Sequence, residues 1–292
     1  MDRLIGVFLI AVSAVSFGAN PIFARIAYDA GANPITFLFF RFAIASIVMF
    51  LIMIIGNFKF PRGRLLFTLV MMGGVGIVGA TISFFTALTM APVSLVIVLA
   101  YMYPALVTFF AAIFFKQRIT NYKITALFMT LMGIVFTIGL DIDGQFLGIV
   151  LSLATAVIYS VFLIFGSLSI QKAGAFSAST VITIAASVIY GLLVTIQGVE
   201  LPTVLSGWMA IAASGMISTA FGSVALFAGL KQIDMASTSI ISTLEVVVSI
   251  ALAIIVLGET ITLSKIIGAT MVISAVAILA KSEYKVANVK IH

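Results

Sequence analysis

Two ionisable residues stand inside long apolar runs. Glu245 lies in 235–257, where every other residue is apolar, small or hydroxylated, and Arg41 lies in 34–56, which has no other charge. At about 1.5 Å per helical residue, Glu245 is about 15 Å along its run and Arg41 about 10 Å along its own. Ionisable groups at such depth are costly unless paired or hydrated, and by default they mark a path for a substrate or an ion. A carboxylate taken out of water favours its protonated form. Glu245 is therefore a candidate for substrate binding and for proton coupling, against the plainer reading of a packed, hydrogen-bonded acid. The planar guanidinium of Arg41 matches a carboxylate. It could bind a substrate carboxylate, neutralise Glu245, or snorkel toward the headgroups.

Other side chains share these runs. Asn20-Pro21 comes late in the first one, where proline frees a backbone carbonyl and Asn20 can fill the gap or face a cavity. Tyr101, Tyr103 and Tyr159 offer aromatic faces and hydroxyls, although buried tyrosines are often packing groups with one satisfied hydroxyl. Ser83, Thr219, Ser223 and Ser242 are weaker candidates, because hydroxyls also bond back to helix carbonyls. The expected substrate-binding set is Asn20, Arg41, Tyr101, Tyr103, Tyr159, Ser242 and Glu245.

Several chemistries lack their residues. There is no cysteine, and the single histidine is His292. Thiol nucleophiles, disulfides and histidine metal sites are excluded, and no cofactor or metal is expected. Gly73-Gly74-Val75-Gly76 has no following Lys-Ser/Thr and is not a nucleotide loop. One acid within the runs leaves an intramembrane enzyme without a nucleophile–base pair. A channel would need pore rings of like charge, and none is seen.

The elements that position these groups follow from composition. The 292 residues are 63% hydrophobic and 8% charged, against about 45–50% and about 25% in soluble chains. A water-soluble enzyme and a disordered chain are both excluded. Apolar runs fall at roughly 4–27, 34–56, 65–88, 91–115, 121–140, 145–169, 176–197, 206–230, 235–257 and 263–281. Each suits a transmembrane helix of about 20 residues. They do not alternate as barrel strands do. The first is too long for a cleaved leader and reads as a span. All but three of the 15 lysines and arginines fall on one set of ends, the exceptions being Arg25, Lys265 and Arg41. The positive-inside rule then puts both termini in the cytoplasm. The expected fold is an all-α integral membrane protein of ten transmembrane helices, multi-pass in the plasma membrane. Its partners are the lipid bilayer and a small-molecule substrate. No nucleic acid is expected, and the chain is a monomer or weak homodimer.

The chain also repeats itself at an offset of 142. Gly6 pairs with Gly148, Ile22-Phe23 with Ile164-Phe165, Gly56 with Gly198, Gly73 with Gly215, Ile119-Thr120 with Ile261-Thr262 and Lys123-Ile124 with Lys265-Ile266. The halves are 1–140 and 141–292. Five spans per half is an odd number, so the second half enters from the opposite side. Such inverted repeats are a signature of secondary transporters, with the site near the midplane between the halves. Gly76-xxx-Ala80 and its partner Ser218-xxx-Gly222 read as close helix contacts.

At this point the sequence resembles the drug/metabolite transporter superfamily, in its EamA-like ten-helix branch. The matching segments are Ser16-Phe17-Gly18-Ala19-Asn20-Pro21, Pro34 through Phe42 with Arg41, Ala87-Leu88 and Gly229-Leu230. A fifth runs from Leu244-Glu245-Val246 to Leu257-Gly258-Glu259-Thr260-Ile261-Thr262. Val246 stands where the family often has proline, and Tyr103-Pro104 keeps the proline without the acid. The resemblance implies export of small polar metabolites such as amino acids by alternating access, with the fifth and tenth spans peripheral. Import or facilitated uptake of a nutrient, and multidrug export, are the alternatives on the same fold.

Overall fold

The computed structural model describes residues 2–87, 90, 96, 99–116, 119–138, 146–258 and 262–289. Every regular element among them is a helix. The first half holds α1 (Asp2–Gly18), α2 (Asn20–Asp29), α3 (Pro34–Ile55), α4 (Gly63–Ala87), α5 (Tyr103–Phe115) and α6 (Asn121–Ile138). The second holds α7 (Phe146–Ala173), α8 (Ala175–Gln197), α9 (Leu205–Leu230), α10 (Met235–Ser242), α11 (Leu244–Leu257) and α12 (Leu263–Val289).

Seven helical stretches are long and apolar enough to cross a membrane: Arg3–Asp29, Pro34–Ile55, Gly63–Ala87, Phe146–Ala173, Ala175–Gln197, Leu205–Leu230 and Met235–Val256. Three shorter apolar helices are Tyr103–Phe115, Asn121–Phe136 and Ile266–Ile278. Large apolar side chains such as Phe8, Phe67, Phe165 and Ile255 lie exposed on these helices. In lipid that exposure carries no penalty, and the backbone of each helix is satisfied within it. The expected breaks at Ala91-Pro92 and Asp141 to Gly144, with Leu88, the half boundary at 140/141 and Glu259 to Ile261, lie outside the described residues.

Sequence signals explain the ends. Asn33 caps α3, its side chain accepting from the Thr36 amide at 2.8 Å, with Pro34 in the first turn, where its missing N–H costs nothing. Gly174 (φ 85°) separates α7 from α8, and Gly198 (φ 88°) closes α8. Both angles suit glycine best.

Several helices are broken within their runs, and two kinds of irregularity recur at the repeat offset. A turn at Tyr101-Met102 precedes α5, and a turn at Thr243 separates α10 from α11. Positions 101 and 243 are partners in the repeat. Likewise α4 contains a π-helical stretch, Met72–Ile77, and α9 contains one at Ser214–Phe221. Such stretches are rare and concentrate where helices must deform around a site. The first run breaks at Ala19, just before Pro21. Its partner α7 is continuous.

Gly73 shows why the π stretch is tightly packed. A Cβ there would collide with the Ile182 carbonyl oxygen on α8 and lie 2.9 Å from the Ala185 Cβ. Gly73→Ala is expected to cost about 1–3 kcal/mol, the usual penalty of overpacking. Thermal unfolding of the purified chain in detergent checks this, and an unchanged midpoint would refute it.

The packing exchanges the halves. α1 lies on α9, and its partner α7 lies on α4; α3 packs on α9 as α8 packs on α4. α1 meets α10 and α11 as α7 meets α5, while α3–α8 and α6–α12 are contacts between partner helices. Individual bonds follow the same exchange. Ser13 Oγ donates to the Gly222 carbonyl at 2.8 Å, and its partner Thr155 reaches the Ala80 carbonyl at 3.4 Å. The two small-residue motifs sit at these crossings: a Cβ on Gly76 would lie 3.1 Å from Phe162, and one on Gly222 3.2 Å from the Ser16 Cβ.

One polar tie has no partner in the repeat. Lys123 Nζ donates to Asp234 Oδ1 at 2.8 Å, joining α6 to the start of α10. Asp234 also caps α10, accepting from the Ser237 amide at 3.0 Å. Burial alone would push its carboxyl up. The Lys123 ammonium and the Ser237 bonds outweigh that and hold it below the usual carboxylate range. A depressed pKa stabilises the fold at pH above the unfolded value, about 3.9 for Asp, and the contribution disappears as pH falls through the lower folded value. Asp234→Asn keeps a capping residue and loses the ionic bond, worth about 1.5–3 kcal/mol. The gap in melting temperature between wild type and Asp234→Asn is expected to stay constant above about pH 4 and to close in stronger acid. A gap that closes between pH 5 and 7 would refute this account.

Candidate functional site

Glu245 is placed by the break at Thr243, which makes it part of the first turn of α11. A carboxylate there is favoured by the positive end of the helix dipole. The Tyr101 side chain, on the partner turn before α5, lies beside it. Two more tyrosines complete a wall. The rings of Tyr101 and Tyr103 are 5.9 Å apart, and those of Tyr103 and Tyr159 are 4.9 Å apart and perpendicular. Tyr159 stacks on Phe162 at 5.8 Å. Tyr103 is buried, and its hydroxyl donates to the Ser239 carbonyl at 3.4 Å. Ser242 itself donates back to the Thr238 carbonyl at 2.9 Å. Tyr101, Tyr159 and Glu245 are only partly buried.

The tyrosine wall is fixed by a close helix contact that the two halves share. Ser160 Oγ donates to the Tyr103 carbonyl at 3.2 Å. At the partner position Gly18 lies so near the Glu245 carbonyl that a Cβ would be 2.9 Å from it. Ser249 Oγ donates to the Gly18 carbonyl at 2.9 Å. The end of α1 thus seats the start of α11, as the middle of α7 seats the start of α5.

Arg41 belongs to a second cluster. It is 7% exposed and donates from Nε to Thr219 Oγ1 at 2.6 Å. With the Asn20 amide oriented by its neighbours, the amide oxygen accepts from Nη1 and Nη2, each at 2.8 Å, and the nitrogen donates to Ser214 Oγ at 2.6 Å. Thr219 donates in turn to the Ser214 carbonyl at 3.1 Å. Asn20 is thereby the first residue of α2 and the acceptor for the guanidinium. The guanidinium carbon lies 5.0 Å from the Phe42 ring centroid. Arg41 does not snorkel: it points into the protein, and Glu245 feels its charge. The two groups form no ion pair within 4.0 Å.

The seven expected residues therefore fall into two neighbouring clusters, Tyr101, Tyr103, Tyr159, Ser242 and Glu245 in one and Asn20 and Arg41 in the other. The second contains residues that sequence reasoning passed over or ranked low. Thr219 is the direct partner of Arg41, and Ser214 completes the chain of bonds. Tyr190 hydrogen-bonds to Thr81, and the buried Tyr28 hydroxyl has no hydrogen-bond partner among the described residues; both lie within the field of Arg41. The repeat could not reveal them: the partners of Asn20, Ser214 and Thr219 are Phe162, Met72 and Ile77. No group of three or more metal-ligating residues occurs among the described residues.

A duplicated bundle of membrane-crossing helices, with its polar residues gathered inside at helix breaks, has the form of a membrane transporter. The chain belongs to the EamA-like transporter family: the family model matches residues 4–139 and again 146–281, at the offset of 142 seen in the repeat. This places it in the drug/metabolite transporter superfamily. No curated protein matches it. Among the solved structures that match it, a crystal structure of a protein has a TM-score of 0.81 and 19% identity, over 96% of this chain and 98% of the other. At that identity the likeness concerns the fold.

Proposed function

We propose that the chain is a secondary transporter that exports small polar metabolites, amino acids or related compounds, by alternating access. Its ten spans form two inverted halves in the plasma membrane, with both termini in the cytoplasm. The two halves rock about the space beside Glu245, and Glu245 carries the coupling proton. The observation that carries this reading is the meeting of Glu245 and Tyr101 across the halves, each at a helix break related by the repeat. Broken helices at a repeat interface free backbone and side-chain groups for a substrate. The exchanged helix packing supports the inverted arrangement. Tyr103, Tyr159 and Ser242 line the substrate space. Arg41 and Asn20 form its supporting edge.

The test compares spent medium from cells expressing the intact chain with medium from cells expressing Glu245→Ala, by untargeted metabolite profiling. Export predicts that one or a few metabolites accumulate outside only with the intact chain. Selective depletion of a compound from the medium would replace export with uptake. Identical profiles with equal membrane levels of both proteins would count against the reading.

A further inference from the structure

The loop between α3 and α4 carries three cations beside a formed cavity. α3 closes in a fixed turn. The Asn57 amide donates to the Ile54 carbonyl at 3.2 Å and the Phe58 amide to the Met53 carbonyl at 3.0 Å, with Asn57 at φ 53°. In this closing motif the residue after the left-handed one packs back on the last helical turn. Phe58 does so, since a Cβ on Gly56 would strike its ring. Its ring centroid also lies 4.7 Å from that of Phe176 near the start of α8, with planes 27° apart. Around the turn is a cavity of about 340 Å³, lined by Phe50, Met53, Ile54, Asn57, Phe58 and Phe60. That volume falls within the range of ligand pockets. Lys59, Arg62 and Arg64 follow in the loop and the first turn of α4. All three are exposed, and their side chains make no ion pair or hydrogen bond among the described residues. The chain has no acidic residue between Asp29 and Asp141, so no acid close in sequence neutralises them. On the other side of the cavity, Ile47, Phe50 and Ile54 lie exposed at spacings of three and four, which puts them on one face of α3.

Cations, cavity and apolar stripe form one continuous surface from the helix end into the hydrocarbon. A basic loop alone sets the orientation of a membrane protein, and that role needs no cavity. A basic pocket between helices at the membrane surface suits an anionic lipid headgroup. A soluble anion would use the cations and leave the stripe untouched. A zwitterionic lipid would bring its own ammonium against three positive charges. We propose that this cavity binds an anionic phospholipid, with the phosphate held by Lys59, Arg62 and Arg64 and the acyl chains lying along Ile47, Phe50 and Ile54. The site belongs to one half only, because the repeat places Leu201, Val204 and Ser206 opposite the three cations. It needs neither Glu245 nor a transported substrate. Phe58 belongs both to the cavity wall and to the stack on Phe176. A seated lipid therefore steadies the approach of α3 to α8, a contact between the two halves.

The test uses the full chain, purified in a mild detergent and stripped of lipid. The probes are dioleoylphosphatidylglycerol and dioleoylphosphatidylcholine, which differ only in the headgroup. Native mass spectrometry counts the lipids retained, and thermal unfolding reads their effect. A single phosphatidylglycerol is expected to be retained about tenfold more tightly than phosphatidylcholine, since each basic side chain adds to the hold on an anionic lipid. It should also raise the melting temperature. Replacing all three cations, Lys59→Gln with Arg62→Gln and Arg64→Gln, should erase the preference. Removing the same charge elsewhere, Lys116→Gln with Lys231→Gln and Lys281→Gln, should keep it. Ile54→Trp, at an exposed position of the cavity wall, should weaken retention with the cations in place. Size-exclusion profiles confirm that each variant is folded; if the first triple variant does not fold, Ile54→Trp decides. Equal retention of the two lipids by the wild type overturns the proposal. So does an equal loss in both triple variants, or unchanged retention by Ile54→Trp. Glycerol 3-phosphate is the last probe. If it displaces phosphatidylglycerol at matching concentration, the site is one for a free phosphate ester and the lipid assignment falls.

Discussion

Replacing Glu245 by Gln is expected to uncouple transport from the pH gradient while leaving the protein folded. Glutamine has nearly the same shape, so the start of α11 against Gly18 should persist. What is lost is the carboxylate at the meeting of the halves. If each turnover exchanges one proton for one substrate of like charge, a gradient of one pH unit sustains about a tenfold substrate gradient, because one unit corresponds to about 1.4 kcal/mol. Glu245→Gln should abolish this gradient-driven accumulation. The measurement is accumulation in proteoliposomes with an imposed pH gradient, wild type beside variant. Full gradient-driven accumulation by Glu245→Gln would end the role of Glu245 as the proton carrier. Glu245→Asp, with a shorter reach to Tyr101, should retain coupling at reduced flux.

The second large effect is expected at Arg41, and there it should fall on stability. Truncation to alanine empties a buried site and strips Asn20 and Thr219 of their partner. Each polar group left unsatisfied costs about 1–3 kcal/mol, and the cavity adds to this. A midpoint lowered by on the order of 10 °C is expected, at about 2–4 °C per kcal/mol for chains of 150–250 residues. Arg41→Met should be milder, because it fills the space and the Asn20–Ser214 bond and the Thr219 bond to the Ser214 carbonyl survive. Arg41→Lys should rescue only part of the loss, since a single ammonium cannot span Thr219 and Asn20 as the guanidinium fork does. An unchanged midpoint for Arg41→Ala would remove the supporting role. A raised KM in Arg41→Lys at normal stability would move Arg41 into direct contact with substrate.

Much of the architecture can be read from residue order because lipid imposes simple demands. A helix in hydrocarbon must be largely apolar along its length, so the runs at 34–56, 145–169 and 176–197 declare themselves. The repeat is legible where glycines and charges match in register. Breaks within a run are harder to read. Thr243 and the Tyr101-Met102 turn carry no glycine, and their proline, Pro104, stands on one side only. They arise from packing between the halves, which a local pattern does not encode. The π stretches are of the same kind. Of the site, the outliers Glu245 and Arg41 were visible because charge is rare in an apolar run. Thr219 and Ser214 were not, because a buried hydroxyl looks the same in sequence whether it bonds its own helix or a guanidinium on another. The sequence also suggested snorkelling or an ion pair for Arg41, and its partners proved to be neutral amide and hydroxyl oxygens.

The Lys123–Asp234 tie has a consequence for the working cycle. Two equal halves would give a carrier whose two facings differ little in energy. Here the repeat places Pro92 opposite Asp234 and a second lysine, Lys265, opposite Lys123, so the partner positions cannot repeat the ionic clasp. Under the alternating-access cycle proposed above, a carrier fastened in this way would have a resting orientation. That preference leaves the final substrate ratio untouched, since gradients alone set it, but it decides which compartment meets the vacant site first. Substrate arriving at the disfavoured face sees an affinity diluted by the small fraction of molecules turned toward it. In the alternating-access cycle proposed above, the clasp would act as a rectifier of rate in a molecule whose two halves repeat one another.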